Sequence, residues 1–320
     1  MKKVILFAIA FAVAAAVFAG GAGTTGMNYM RIGMGARAEG MGEAQVAIAD
    51  NVDAIYWNPA GLAFVRKYEV GLMHLVYWQG ISYESAGAVI PMRNIGVFAL
   101  GGTFINSGSI DKTVENSSGS NYTLDGVFNY SAYSAQVSYA NKFILEGQPV
   151  FLGGTLKFVG DGIDGTSAVA IGADIGGIYV LGKNLLVGAA ISNIGTVLNE
   201  NAAMPLTMRI GAGYRLPGFS EGHSLILAAD GVLPIDAAIK ANLGAEYGIN
   251  RQIFLRAGYK LNYDLESMTF GAGYRMNSNG TVYEIDYAFA PGLEDIGSTH
   301  RISLIVRFGS PLTSVGEEKD

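Results

Sequence analysis

The chain has 320 residues and a formal net charge of −6, with 15% charged residues and 45 glycines. Soluble globular chains carry about 25% charge and about half as much glycine, so too little charge is present to cover a water-facing surface. Past the N-terminus no run of roughly 18 apolar residues could span as a helix, and no basic stripe invites nucleic acid, which leaves a bilayer crossed by strands as the solvent.

Cysteine is absent and only three histidines occur, His74, His223 and His300. Disulfides and thiolate metal sites are therefore excluded, and scattered histidines make a metal centre or other cofactor unexpected.

In chain order, Lys2 and Lys3 precede an apolar run from Val4 to Phe18 and the small residues Ala19, Gly20, Gly21 and Ala22. That is the layout of a secretory signal peptide, assigned to residues 1–19 with cleavage after Ala19. Loss of the two lysines takes the net charge from −6 to −8. Residues 27–67 lack sustained strand alternation, and Asn58-Pro59-Ala60-Gly61 is a strong turn. The stretch reads as a compact segment with a short helix or two.

From Tyr68 to Phe308, segments of about ten residues alternate apolar or small with polar positions and close on Gly, Asn, Asp or Pro, the signature of an outer-membrane strand. Fourteen segments result: 68–78, 81–90, 95–106, 129–140, 149–159, 167–180, 185–194, 205–215, 223–232, 238–247, 252–261, 267–276, 281–289 and 300–308. The even number suits a bacterial single-chain barrel. The fold class is therefore all-β, a fourteen-stranded antiparallel transmembrane β-barrel.

Charge parity supports this. Arg209 and Arg215, Lys240 and Glu246, Arg256 and Lys260, Glu284 and Asp286, and Arg301 and Arg307 each share one face of their segment, opposite apolar residues. Random parity would give that outcome about once in 32, whereas a polar lumen requires it. Arg209, Lys240, Glu246, Arg256, Arg275, Glu284, Asp286, Arg301 and Arg307 form the expected lumen charge ladder, a structural device rather than a substrate site. Glu246 beside Arg256, and Glu284 or Asp286 beside Arg301 or Arg307, are the expected pairs. Tyr214, Tyr247 and Tyr274 against Tyr259 and Tyr287 suggest two aromatic belts.

Loops after odd segments (107–128, 160–166, 195–204, 290–299) exceed most turns after even ones, the outer-membrane orientation rule. The turns at 141–148 and 216–222 are long for that rule, and the connection near Gln79-Gly80 is short. Residues 107–128, rich in Ser, Asn and Gly, are the expected outward partner contact. Gly218-Phe-Ser220-Glu-Gly222, with Asp230, Asp286 or Asp295 and His300, spells a hydrolase elbow and triad, but the motif follows Pro217 and leads into a strand, so it reads as a turn. The glycines near Gly33 lack dinucleotide spacing, and Asp161-Gly-Ile-Asp164 lacks EF-hand spacing.

Met30-Arg-Ile-Gly-Met-Gly-Ala-Arg37-Ala-Glu-Gly40, Ala47-Ile-Ala-Asp50 and Ile55-Tyr-Trp57-Asn58-Pro59-Ala60-Gly61-Leu62 resemble the N-terminal signature of the PorV/PorQ family of outer-membrane proteins. Gly297 to Gly309 resembles that family's last strand. The resemblance implies a barrel similar to FadL, with residues 20–67 as a hatch inside a barrel of residues 68–309, and Arg37, Trp57, Asn58, Pro59, Ala60 and Gly61 as its motif. Residues 310–320 are then a C-terminal extension, a departure from that family's terminal Phe-Gly. The expectation that follows is a non-enzymatic protein of the cell outer membrane, surrounded by lipid, whose partners are secreted cargo proteins in a type IX secretion or surface-assembly role. The alternative is a FadL-like transporter of hydrophobic small molecules.

Overall fold

The computed structural model describes residues 21, 23–115, 121–198, 202–293 and 296–310. The expected signal peptide and nearly all of the C-terminal extension lie outside the described residues. Sixteen strands are described: β1 (Tyr68–Val76), β2 (Ser82–Met92), β3 (Gly96–Asn106), β4 (Ile110–Glu115), β5 (Tyr122–Phe128), β6 (Tyr130–Leu145), β7 (Gln148–Ile163), β8 (Thr166–Leu181), β9 (Leu185–Val197), β10 (Thr207–Leu216), β11 (Ser224–Pro234), β12 (Lys240–Ile249), β13 (Ile253–Leu261), β14 (Met268–Ser278), β15 (Thr281–Pro291) and β16 (Ser298–Phe308).

Fourteen of them close an antiparallel barrel in which β3 pairs with β6 and the first strand pairs with the last. Closure runs in register from Tyr68 opposite Phe308 to Val76 opposite His300, leaving no unpaired edge. All fourteen expected segments are barrel strands. The reason is visible in β1, where every second residue is buried from Glu69 to Leu75 and the rest are exposed. A period of two puts one set in the bore and the other in the surrounding solvent. The outer set includes Leu72, Leu100, Val137, Leu156, Ile171 and Leu255, each at least half exposed. Such a continuous apolar exterior is stable in hydrocarbon and a hazard in water.

The differences from expectation lie in the connections. The loop at 107–128 contains the hairpin β4–β5, a separate two-stranded sheet that leaves the barrel between β3 and β6. Its Ile110, Val114, Tyr122, Leu124 and Val127 alternate with polar residues over runs too short to stand out in a Ser- and Asn-rich stretch. We call the end from which it projects the upper end. Strands β6, β7 and β8 each have 16 residues, so the expected connections at 141–148 and 160–166 shrink to the pairs Glu146-Gly147 and Asp164-Gly165. All four residues have positive φ, between 45° and 82°. Such two-residue turns match the twist of the strands and allow them to continue.

The N-terminal segment enters the bore at the upper end and reaches β1 at the lower end. Thr25 forms a parallel bridge with Ala203, and its hydroxyl donates to Asp236 on the β11–β12 connection. Below, α1 (Ala36–Gly40) and α2 (Ala54–Trp57) are single turns, too short to persist alone. The wall holds them at very close range. A β-carbon at Gly258 would lie 2.0 Å from the Gly42 nitrogen, and one at Gly244 would lie 2.4 Å from the Met41 carbonyl oxygen. Glycine is required at both by contact rather than by backbone angle.

Candidate functional site

The bore has two faces. A column of charges runs along β12–β16 and β1. Glu246 on β12 stands opposite Arg256 on β13 in the strand register, and their side chains meet at 2.6 Å. Arg256 also holds Asp286 at 2.6 Å, and Glu284 holds both Arg275 at 2.8 Å and Arg307 at 2.6 Å. Glu246 with Arg256 and Glu284 with Arg307 are expected pairs, whereas Asp286 lies on Arg256 and Arg301 turns inward to Glu39 at 2.7 Å and to the Gly33 carbonyl. One expectation needs correction. Arg209 and Lys240 are not rungs of an ion-pair ladder. The Arg209 guanidinium packs 5.6 Å from the Tyr56 ring centroid and 5.3 Å from Trp57, and the Lys240 ammonium 4.2 Å from Tyr263, so ring faces stand where carboxylates were expected.

The column continues into the inserted segment. Arg37 donates to Glu246 at 2.8 Å and to Asp50 at 2.6 Å. Burial opposes its charge, but the Glu246 and Asp50 carboxylates outweigh that and hold its pKa above the ordinary value. Lys260 meets Glu39 at 2.9 Å, Glu43 at 3.4 Å and Glu266. Glu39 is fully buried, which raises a carboxyl pKa, yet the Arg301 and Lys260 charges hold it below the usual range. Two wall carboxylates bind backbone: Asp230 accepts from the Gln45 and Val46 amides, and Glu69 accepts from that of Val52 while its other oxygen pairs with Arg307 at 2.6 Å.

Trp57, Asn58, Pro59, Ala60 and Gly61 lie on the opposite face of the segment. Trp57 is 1% exposed and its indole donates to the Met34 carbonyl. Asn58 donates to the carbonyls of Val46 and of Gly177 in the wall, while its side-chain oxygen accepts from Ala60. Pro59 packs on β7, where a β-carbon at Gly153 would sit 2.4 Å from its carbonyl carbon, and Gly61 passes against the Ala49 carbonyl.

Charge parity missed the pair Lys157 and Asp174, at 2.7 Å across β7 and β8 and almost wholly buried. Each is a lone charge in its expected segment, 149–159 or 167–180, so counting only segments with two charges passed over them. Their position between outward residues, Lys157 between Leu156 and Phe158 and Asp174 between Ala173 and Ile175, carried the same signal. Glu69, between Tyr68 and Val70, did likewise.

Across the upper bore from these charges, the side formed by β1–β3 and β6–β9 is apolar. Met73, Leu75, Tyr83, Ile105, Val159 and Met204 form one buried cluster with Met27, Tyr29 and Met30 of the inserted segment. The Tyr29 hydroxyl donates to the Tyr133 carbonyl at 2.7 Å, fixing the segment against this apolar side. Methionines adapt to irregular apolar shapes and suit a surface that receives varied hydrophobic molecules.

No triad assembles among the described residues. Asp230 is engaged with the inserted segment, His300 bonds Tyr287 and Ser298, and Gly218–Gly222 lies on the β10–β11 connection. Asp164, in the turn weighed for calcium, pairs with Lys112.

No family model and no curated protein matches the sequence. Solved structures do match in shape. The toluene transporter TodX of Pseudomonas putida superposes with a TM-score of 0.57 at 15% identity, covering 86% of this chain and 97% of that one. The toluene transporter TbuX of Ralstonia pickettii gives 0.55 at 15% identity, with 87% and 99% coverage. A FadL homologue of Pseudomonas aeruginosa gives 0.50 at 11%, with 86% and 98%. At these identities the likeness establishes a FadL-like barrel fold. The PorV/PorQ resemblance gains no support from these comparisons.

Proposed function

We propose that the protein is an outer-membrane channel that admits small hydrophobic molecules, with the segment up to residue 67 acting as its hatch. The observation that carries this reading is the division of the bore. Toward the upper end the β1–β9 side of the bore packs a methionine-rich apolar cluster, and across from it the inserted segment is ion-paired to the wall, so a path opened by moving that segment would run along an apolar side and past a charged closure. The fold shared with two toluene transporters supports the same reading.

The test is uptake of radiolabelled toluene and of a long-chain fatty acid by cells lacking the protein and by cells re-expressing it. Uptake that falls on deletion and returns with the wild-type chain supports the channel. Equal uptake in both strains refutes it.

The β4–β5 hairpin favours a second reading, in which the barrel presents or binds secreted proteins in the PorV/PorQ manner. Tyr122, Leu124 and Val127 are each more than 60% exposed on an isolated two-stranded sheet, a form that is marginal in water without a partner. Removal of residues 108–127 with a census of secreted proteins separates the two: changed secretion with intact uptake would transfer the function to the hairpin.

A further inference from the structure

The outer wall carries a histidine–carboxylate pair among mainly apolar and small outward side chains, with His300, bonded to Tyr287, the nearest outward histidine on β16. On β1 and β2, His74 and Glu84 stand opposite each other in register, both on the outward face and each about half exposed. Nδ1 of His74 bonds Oε1 of Glu84 at 2.6 Å, and among the described residues the second carboxylate oxygen has no bond. The pair is part of the lining of an external groove of about 710 Å³ across β16, β1, β2 and β3. That volume falls within the roughly 300–1,000 Å³ of small-molecule sites. Its floor is Ala86 opposite Gly102, and Leu72, Leu304, Ile302 and Phe104 rise beside it.

We infer that this groove binds a membrane lipid with a primary-ammonium headgroup, the ammonium on the second oxygen of Glu84 and an acyl chain over Ala86 and Gly102. The inference rests on the membrane placement proposed above. A polar pair on a lipid-facing wall costs free energy unless its remaining hydrogen-bonding capacity is met, and hydrocarbon offers no partner. An ammonium supplies both N–H donors and the opposite charge, whereas a quaternary headgroup supplies charge without a donor and a glycerol headgroup supplies donors without a cation. His74, bonded to the first oxygen, fixes the direction of the second.

The full chain is reconstituted into nanodiscs of equal parts phosphatidylethanolamine, phosphatidylcholine and phosphatidylglycerol with matched chains, extracted into mild detergent, and its retained lipid counted by native mass spectrometry. Recovery of closed barrels, read by electrophoretic heat-modifiability, reports the membrane reading separately. The variant is His74→Leu with Glu84→Leu, which places apolar groups on an apolar face and leaves the bore untouched. The wild type is expected to retain phosphatidylethanolamine at least fivefold over the other two, and the variant to retain all three alike. Equal retention of the three by the wild type overturns the proposal, as does undiminished phosphatidylethanolamine preference in the variant.

Discussion

Replacing Lys260 by methionine removes the cation on which three buried carboxylates converge. Lys260 lies 2.9 Å from Glu39 and 3.4 Å from Glu43 and is bonded to Glu266, so the variant leaves Glu39 and Glu43 to Arg301 alone and takes from Glu266 its ion-pair partner. Deleting one partner of a buried ion pair costs about 3–5 kcal/mol, and here methionine fills the space of the lost chain, so the cost is electrostatic rather than a cavity. The pH dependence has a definite sign. Glu39 is held below its ordinary carboxyl value despite burial, so its contribution is present above the unfolded carboxyl pKa and is lost as pH falls through the lower folded one. Glu266, on the β13–β14 connection, is pushed up by burial and by the Glu39 charge, so it accepts a proton readily once Lys260 is gone. The gap between wild type and variant should therefore be widest near neutral pH and narrow in acid. Trp57 provides the assay: it is one of two tryptophans and is 1% exposed, so in a Trp78→Phe background its fluorescence reports release of the inserted segment during guanidinium titration of lipid-reconstituted protein. Adding Glu39→Gln to Lys260→Met should recover about 0.5–3 kcal/mol of the loss, as coupled neighbours do. A Lys260→Met protein whose Trp57 transition stays at the wild-type midpoint at neutral pH would refute the reasoning.

Burial, with the Glu69 and Asp286 charges, pushes the Asp53 carboxyl up to about 7, so its ionisation opposes folding increasingly from about pH 4 and levels off above about 7. Asp53→Asn should therefore match the wild type in acid and exceed it in unfolding midpoint at pH 8, and a constant offset across that range would contradict this. Gly258→Ala places a methyl 2.0 Å from the Gly42 nitrogen, so it should destabilise the inserted segment by about 1–3 kcal/mol, while Gly231→Ala, with 3.8 Å of room, should not; protease resistance of residues 21–67 distinguishes them. Leu243→Arg on the outer face, where Leu243 is 45% exposed, should cost about 2–4 kcal/mol in bilayers if it reaches mid-depth, measured by urea unfolding in vesicles.

The barrel was legible in the chain because its rule is one-dimensional. A residue's parity within its segment decides whether it meets lipid or the bore, and that parity survives in the order of letters, as Arg256 and Lys260 opposite Leu255 and Tyr259 illustrate. Turn chemistry was legible less fully: Glu146-Gly147 and Asp164-Gly165 needed the observed angles to show that their strands run on, since either pair also fits a longer loop. The charge pairs beyond neighbouring strands were not legible. Arg37 and Glu246 are 209 positions apart, and Arg301 and Glu39 are more than 260 apart, so no local period links them.

By itself the sequence determined the surroundings of this protein. Low charge, a period of two and fourteen segments require a ring of strands with an apolar exterior, because lipid cannot satisfy an open edge. Only the tertiary structure decided what the bore contains. Once the wall closes, the buried inward charges must take whichever partner the wall or the inserted segment brings within reach, and that choice depends on three-dimensional distance, which sequence spacing does not encode.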